Sequence, residues 1–433
     1  MSFKITFSLL LIISFTASTV FSQRASVLIS NNSKNNRLDQ LVVLSRSELT
    51  KRLAEKDIED GITITDKNNN KLTVQLDDLD FDGDWDEALF LYSFKAREKI
   101  LFNIFPGYLK DHTTTSRAHV RHRRKKADDS FGMALMVDSI PAGHPNTDFL
   151  KVKLPPFLTE GPAWENDRVG FRLYFDVRNG KDIWGKTTTK MMMDSVGVNP
   201  EVSYHHLASW GMDVYKVGTS LSAGALAINL KRPNKIDTLI RLGGQHMGRV
   251  VYEKISDGPL RARFRLKYPE WHYTSGASPL FLVEDISISA GQFYYESEVT
   301  FLNAPKEISL TTGFADIYKV PSGIIRDGSA SAFYSYGLQS ENNDNLGLAI
   351  IARSNEILDF KKTNSKFSDI NDSYLLSFKS KRSPDINRFR FYACWSLSDA
   401  RFKSIETFED FLHEQIDNYS EDLKFKWLKK EPK

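Results

Sequence analysis

Side chains that could do chemistry concentrate in the stretch Trp164–Lys186, where apolar and polar residues alternate without a break from Arg168 to Arg178. The apolar positions form one face of a predicted strand, namely Val169, Phe171, Leu173, Phe175 and Val177. The opposite face carries Arg168, Gly170, Arg172, Tyr174, Asp176 and Arg178. Side chains two apart on a strand lie about 7 Å from each other, so we expect Arg172, Tyr174 and Asp176 to line one groove. A turn is predicted at Asn179-Gly180, followed by a second alternating strand that ends at Lys186.

The residue types on this polar face suit a sugar that bears a carboxylate. A guanidinium group binds a carboxylate with two parallel hydrogen bonds, and aromatic rings offer surfaces on which a sugar can stack. A merely solvated face would more often carry Lys, Glu and Thr. A charge ladder on an outer sheet surface is the alternative interpretation.

A second informative stretch is Tyr204–Gly218. His205 and His206 are adjacent, so on an extended chain they point to opposite sides and only one can face the groove. Polar and aromatic residues follow in the same stretch, at Trp210, Asp213 and Lys216. Two more imidazoles stand beside donors or aromatic rings further along the chain, in the clusters that contain His246, His272 and Tyr273.

These groups suit elimination from a uronic acid, in which a proton leaves C5 and a substituent leaves C4. An Arg beside the sugar carboxylate makes the C5 proton more acidic, while one His or Tyr removes it and a second protonates O4. The residues predicted to handle protons are His205, Tyr174, His246 and His272. Those predicted to contact the substrate are Arg168, Arg172, Lys186, Trp210, Lys216 and Tyr273.

Other chemistries are less favoured by the sequence. It contains no glycine-rich phosphate loop, no zinc-binding spacing and no nucleophile-elbow serine, so no cofactor is expected for catalysis. Hydrolysis is disfavoured because no carboxylate pair stands out. Simple binding of an acidic sugar needs only the Arg residues and an aromatic surface, and it stays open as an alternative.

An acidic segment, Asp77–Glu87, places Asp80, Asp82 and Asp84 around Gly83. Alternating carboxylates of this kind are typical of calcium-binding loops, although the position of Gly83 and the missing final Glu exclude an EF-hand. We expect either a structural calcium ion on these three carboxylates or an acidic surface turn.

Basic residues crowd the stretch Phe105–Ser130, from Arg117 to Lys126. A solvated linker is the ordinary interpretation of such a run. The alternation of Arg117, His119 and Arg121 also allows a strand that would place basic side chains at an anionic site.

The composition describes an ordinary globular protein with an export signal. The 433 residues carry a net charge of +3, which does not indicate nucleic-acid binding, and Cys394 is the only cysteine, so no internal disulfide can form. Lys4, the apolar run Ile5–Phe15 and the small residues up to Ser22 predict a signal peptide, so we expect a periplasmic or secreted protein. That run is too short for a membrane anchor. No pattern specifies an oligomeric state.

The predicted fold is mainly β. After a signal peptide at 1–22, we expect a small β-sandwich-like domain at 23–104, a basic linker at 105–130 and a large catalytic domain at 131–433. A C-terminal amphipathic helix is predicted from the three- and four-residue spacing of Ile405, Phe408, Leu412, Ile416, Tyr419 and Leu423.

The sequence resembles a family of exported bacterial proteins, formerly of unknown function, from polysaccharide-utilisation loci. The resemblance covers most of the mature chain and is strongest in Gly161–Lys186 and Tyr204–Gly218, with support from Asp80–Glu87 and Arg117–Asp129. Members similar to this chain are linked to ulvan breakdown as oligosaccharide dehydratases, which implies removal of water from a terminal uronic acid. Separately, Ile286–Phe314 is similar to the antiparallel supersandwich of galactose mutarotases and many polysaccharide lyases, which implies that fold for the large domain. A sugar epimerase or mutarotase is a further alternative.

Overall fold

A computed structural model describes residues 24–107, 114–232, 237–363, 368–381 and 384–428. The predicted signal peptide, residues 1–22, lies outside the described residues. Within the described ranges, no helix is long and apolar enough to cross a membrane. The chain is mainly β, with antiparallel sheets and one long helix near its C-terminus, which confirms the predicted fold class.

The N-terminal part is a small β-sandwich. Its strands are β1 (Ala25–Ser30), β2 (Arg37–Ser45), β3 (Ile62–Thr65), β4 (Lys71–Leu72), β5 (Gln75–Asp77), β6 (Glu87–Phe94) and β7 (Lys99–Pro106), with helix α1 (Arg46–Thr50) and a 3₁₀ turn at Glu55–Asp57. One sheet has the order β1-β7-β3-β4 and the other β2-β6-β5. Alternate residues of β1 point inward, so that Val27 and Ile29 join a core of their own with Phe90 and Phe102.

Five of the next six strands build the sheet that carries the predicted site. The six are β8 (Ala118–Arg121), β9 (Val137–Ile140), β10 (Ala163–Asn166), β11 (Val169–Leu173), β12 (Lys181–Lys186) and β13 (Gly211–Asp213), with a 3₁₀ turn at Leu158–Glu160. The antiparallel sheet has the order β13-β12-β11-β10-β8. Part of the predicted basic linker is therefore an inner element, since β8 pairs with β10 and places Ala118 and Val120 in the core.

The remaining strands, except the last, form two further sheets together with β9, and the last strand pairs with β1. These remaining strands are β14 (Ala223–Leu230), β15 (Thr238–Arg241), β16 (Val250–Asp257), β17 (Arg261–Trp271), β18 (Leu280–Ser289), β19 (Tyr294–Phe301), β20 (Ile308–Ala315), β21 (Ser322–Asp327), β22 (Ala330–Leu338), β23 (Asn345–Arg353), β24 (Ile357–Lys362), β25 (Ser373–Phe378), β26 (Asp385–Trp395) and β27 (Lys424–Trp427). One sheet has nine strands in the order β21-β22-β23-β26-β19-β18-β17-β16-β9, and the other five in the order β15-β14-β20-β25-β24. Two 3₁₀ turns occur here, at Gly244–His246 and Ala400–Phe402.

A single aromatic-rich core joins the site sheet to the nine-stranded sheet. Phe171 of β11 contacts Tyr295 and Phe391 with ring centroids 4.9 Å and 6.2 Å away, and Trp164 of β10 lies 5.1 Å from Phe264. The predicted C-terminal helix is α2 (Ile405–Ser420), which is confirmed. It buries Phe408, Phe411, Leu412 and Ile416 against the opposite face of the nine-stranded sheet.

Candidate active site

Strand β11 has the predicted alternation, but it is shorter than predicted and both of its faces are buried. It ends at Leu173, where Phe175 turns away to donate its N–H to Glu160 O (2.9 Å). Tyr174–Gly180 is then a seven-residue loop, closed by Tyr174 N–H to Gly180 O (2.9 Å), so the prediction of one strand to Arg178 was wrong. The solvated charge ladder is excluded too, because Arg172 is 2% exposed.

Arg172 is the centre of a buried polar cluster. Its Nη2 donates to Asp182 Oδ2 (2.8 Å), Asp213 Oδ2 (2.6 Å) and the Tyr174 hydroxyl (3.0 Å), and its Nη1 donates to the Tyr204 hydroxyl (3.3 Å). The predicted neighbours Arg172 and Tyr174 are thus in contact. Because these N–H groups already donate to protein side chains, the guanidinium is not free to bind a substrate carboxylate with two parallel hydrogen bonds.

Burial sets the protonation of this cluster. Burial raises the pKa of Asp182 to about 6, and the nearby Asp213 carboxylate raises it as well. The positive charge of Arg172 lowers this pKa and offsets part of the shift. Burial also raises the pKa of Tyr174 well above its ordinary value, so this phenol stays neutral and donates to Asp182 Oδ2 (2.6 Å). Asp182 is therefore mostly ionised at pH 7 and takes up a proton as the pH falls through about 6, while Arg172 stays charged.

His205 connects the buried cluster to solvent. Its Nδ1 lies 3.3 Å from Asp213 Oδ2, and its side chain is 61% exposed. Its ring lies beside that of Tyr204, with the planes tilted by 50° and the centroids 4.5 Å apart. The neighbouring His206 is exposed. The arrangement is an accessible imidazole oriented by a buried carboxylate, which Arg172 holds in turn, and such an imidazole is suited to proton transfer.

The residues Thr187–Trp210, here called the cover segment, run between β12 and β13 and lie over the polar face of the site sheet. Glu165 Oε1 accepts the N–H groups of Met192 (2.6 Å) and Met193 (2.7 Å). Buried Arg121 donates to Met193 O (3.0 Å) from the other side. The cover segment also supplies Tyr204 and His205, and Asp213 N–H donates to Tyr204 O (2.9 Å), which holds this end of the segment beside the cluster.

Lys186 is fully buried, although it was predicted to contact the substrate. Its ammonium group pairs with Glu165 Oε2 and donates to Asn166 O (2.7 Å), and neither side chain of the ion pair has any exposed surface. Lys186 therefore anchors Glu165 under the cover segment and does not reach a substrate.

Arg178 is a site residue whose role the sequence did not indicate. Its guanidinium lies 4.0 Å over the Tyr174 ring, pairs with Asp176 and Glu160, and is 37% exposed. Asp176 bonds to Arg178 instead of lining a groove with Arg172. Arg178 is thus a guanidinium beside the cluster that solvent, and hence a substrate, can reach.

Of the other predicted site residues, one lies next to the Arg172 cluster and the rest lie outside it. Trp210 packs 5.6 Å from Trp184 beside Tyr204, next to the cluster. The remaining ones lie outside the cluster: Arg168 under Phe293, exposed Lys216 over Tyr318, exposed His246 and His272, and half-buried Tyr273.

The two outlying histidines form a second group beside the loop Tyr174–Gly180. His272 N–H donates to His246 O (2.8 Å), and Gly244, at the start of the turn with His246, donates to Val177 O (2.7 Å). The loop thus lies between this pair and the Arg172 cluster.

The acidic segment forms a different group from the predicted one. Carboxylate oxygens of Asp78, Asp80 and Asp86 lie within 4.8 Å of one another, so of the predicted ligands only Asp80 belongs to this group. Asp84 instead pairs with Arg46 (2.9 Å), and Asp82 Oδ1 accepts the N–H of Asp84. One exposed and two half-buried carboxylates suit the hard oxygen preference of calcium but supply fewer than its usual six to eight ligands.

Comparison with known proteins places the chain in a family. An α-mannosidase from Enterococcus faecalis V583 superimposes on 94% of this chain and 46% of its own, with TM-score 0.47 and 10% identity. A protein in the Glycosyl Hydrolase Family 38 from Enterococcus faecalis does so over 94% and 48%, with the same score and identity. Uncharacterized protein P7 of Formosa agariphila is 24% identical over 224 residues, which are 48% of this chain, and the match spans about half (53%) of that relative. Residues 29–424 match a family model, and the chain belongs to the family described as Domain of unknown function (DUF4861).

Proposed function

We propose that this protein is a dehydratase that eliminates water from the terminal uronic acid of an acidic, ulvan-type oligosaccharide. The observation that supports this best is the exposed His205 imidazole, held by Asp213, which is itself bound to Arg172. Among the three histidines predicted to be catalytic, His205 is the one that contacts a carboxylate within the described residues.

In the proposed reaction, His205 takes the C5 proton of the sugar and then gives it to the departing C4 hydroxyl. The C5–H and C4–O bonds break, a C4=C5 double bond forms, and the hydroxyl leaves as water, so His205 returns to its starting state. Asp213 orients the imidazole and stabilises it while it carries the proton. Tyr174, 7% exposed and bonded to Asp182, acts by positioning the cluster.

The substrate carboxylate needs a cation beside C5, and we assign this role to Arg178. Arg178 and Arg172 each pair with two carboxylates, but the Arg178 side chain is 37% exposed, whereas Arg172 is buried. Positive charge near the sugar carboxylate stabilises the negative charge that develops when C5 loses its proton. Half-exposed Trp210 offers a ring on which the sugar can stack.

Binding of an acidic oligosaccharide without turnover is the second candidate. It is favoured by the cluster itself, in which Arg172 already has four protein partners and closes the face predicted to be an open groove. A site of this kind would use Arg178 and Trp210 for recognition only.

Incubation with a saturated oligosaccharide that ends in a uronic acid separates these functions. A dehydratase gives a single product lighter by one water, with new ultraviolet absorbance from the double bond conjugated to the carboxylate. A lyase splits the chain with the same absorbance, a hydrolase splits it and adds water, and a mutarotase leaves the mass unchanged. Binding with no change of mass on any uronic-acid substrate would favour the binding protein. We also propose that the protein works in the periplasm or outside the cell.

A further inference from the structure

A depression at one edge of the five-stranded sheet β15-β14-β20-β25-β24 is lined mostly by lysines. It has a volume of about 380 Å³, and its lining consists of Lys231, Lys306, Leu358, Lys379, Ser380 and Lys381. None of these residues belongs to the Arg172 cluster or to the cover segment. The depression is therefore separate from the candidate active site.

The topology of this sheet explains why the lysines meet. Neighbouring strands are antiparallel, so the ends of β14 and β25 lie at the same edge as the starts of β20 and β24. Lys231 and Lys379 follow the two strand ends, and Lys306 and Leu358 stand at the two strand starts. Lys231 N–H also donates to Glu307 O (2.9 Å), which ties the first two segments together.

The lysines differ in how far the protein already neutralises them. Lys381 pairs with Glu356 (3.0 Å), and Lys379 Nζ donates to Asn355 O (2.8 Å). In the part of the chain that the structure describes, the exposed ammonium groups of Lys231 and Lys306 make no ion pair. Like charges gathered at one place repel each other, so the depression favours an anionic ligand.

The lining also narrows the class of anion. Ammonium groups are flexible point charges that follow anions of varied position, whereas Arg suits one fixed bidentate contact. The lining contains no aromatic ring, so bases of a single-stranded nucleic acid would find no stacking surface. A saccharide chain with sulfate or carboxylate substituents needs only the charges and the apolar contact of Leu358.

We propose that this lysine depression is a second carbohydrate-binding site, which holds an acidic saccharide chain at a distance from the site of reaction. The proposal takes its class of ligand from the proposed function and does not depend on the reaction itself. Such a site would keep a polymeric substrate near the enzyme between turnovers.

Binding to defined polyanions tests the proposal. The double variant Lys231→Gln/Lys306→Gln removes two unpaired charges, and the matched control Lys67→Gln/Lys71→Gln removes two exposed charges from the N-terminal sandwich. Affinity for dextran sulfate or for oligogalacturonate at low salt should fall by about tenfold or more in the first variant and stay unchanged in the control. Whichever of the two probes binds more tightly identifies sulfate or carboxylate as the recognised group, while neutral dextran should not bind.

Three results would overturn the proposal. The first is equal affinity in the Lys231→Gln/Lys306→Gln variant and the native protein, and the second is an equal loss in the control variant. The third is tight binding of single-stranded DNA that the double variant also weakens, because it would show a site without preference for saccharides. A His205→Ala variant should bind dextran sulfate like the native protein, so failure of the proposed reaction leaves this result unaffected.

Discussion

Arg172 balances the charges of the candidate site because it joins two buried carboxylates. Asp182 and Asp213 come from different strands, and each is close to Arg172 Nη2 at 2.8 Å and 2.6 Å. Buried carboxylates without such a partner would be strongly destabilising, since desolvation disfavours their charged forms. The guanidinium therefore compensates the burial of Asp213 beside His205.

Replacing Arg172 with Lys tests this role. Lysine keeps the charge but cannot reach Asp182, Asp213 and the two tyrosine hydroxyls together, so we expect turnover to fall strongly and the free energy of unfolding to drop by about 1–3 kcal/mol. Denaturant melting with Arg265→Lys as the control checks the second effect. Arg265 pairs with Asp285 at a more exposed position, where the change should cost less than about 1 kcal/mol. Equal stability of the Arg172 variant and the native protein would contradict the account.

The contact between Arg172 and Tyr174 could be predicted from the sequence, because it follows from their spacing of two residues. The contact with Asp213 could not be predicted. It depends on β13 adding to β12 in a register that places Asp213 opposite Trp184, and no local pattern specifies that register. The choice between His205 and His206 likewise depends on the path of the cover segment.

At the scale of elements, the cover segment decides where His205 lies. Glu165 and Lys186 form the buried ion pair beneath it, and Glu165 also accepts two of its backbone N–H groups. The sequence predicted that Lys186 contacts a substrate, but not that a later loop would bury it together with Glu165. That burial is a long-range contact, and alternation alone does not report it.

Breaking the Glu165–Lys186 pair should destabilise the protein. Glu165→Gln leaves a buried ammonium group without its counter-ion, and we expect a loss of about 3–5 kcal/mol in the free energy of unfolding. The double variant Glu165→Gln/Lys186→Met should lose less than the sum of the two single changes, because no unpaired charge remains. Additive losses in denaturant melting would show that the two side chains do not depend on each other.

His119 of β8 ties the cover segment to the nine-stranded sheet. Its ring lies between Asp194 of the cover segment and Asp257 of β16. Burial lowers its pKa, but hydrogen bonds to the two carboxylates outweigh this and raise the pKa to about 9. A pKa raised above the unfolded value gives stability that is complete below about pH 6.5 and is lost as the pH rises through about 9.

Thermal melting between pH 6 and pH 10 checks the contribution of His119. The native protein should lose melting temperature across this range, and His119→Asn should be less stable at pH 6 and show a smaller decrease. His413→Asn is the control, since His413 is 53% exposed and lies 3.8 Å from Asp327. Parallel curves for the native protein and His119→Asn would exclude His119 as the titrating group.

At the scale of the whole molecule, buried polar contacts join the N-terminal sandwich to the rest of the chain. Arg261 of β17 pairs with Asp77 (2.5 Å) and Glu87 (2.7 Å), and Gln75 Oε1 accepts the N–H groups of Leu260 and Arg261. Strand β27 adds to β1, so the end of the described chain completes the N-terminal sheet. Period-two patterns were sufficient to predict a mainly β chain, but they do not predict that a strand near residue 425 pairs with one near residue 28.

The acidic segment also helps to join the N-terminal sandwich to the rest of the chain, because its two ends, Asp77 and Glu87, pair with Arg261. We retain a structural calcium ion as a proposal, now at Asp78, Asp80 and Asp86. Added calcium should then raise the melting temperature and a chelator should lower it, and Asp80→Asn should remove this response. An identical melting curve in calcium and in chelator would leave the segment as an acidic turn.

The central claim is that His205 performs an elimination on a terminal uronic acid. The most direct measurement is the product mass from a saturated uronic-acid oligosaccharide, compared among the native protein, His205→Ala and His206→Ala. We predict the loss of one water with no chain cleavage in the native protein and in His206→Ala, and a rate lower by about 10²–10⁴-fold in His205→Ala. Undiminished loss of water in His205→Ala would contradict the assignment of the residue, and a cleaved or unchanged oligosaccharide in the native protein would contradict the reaction.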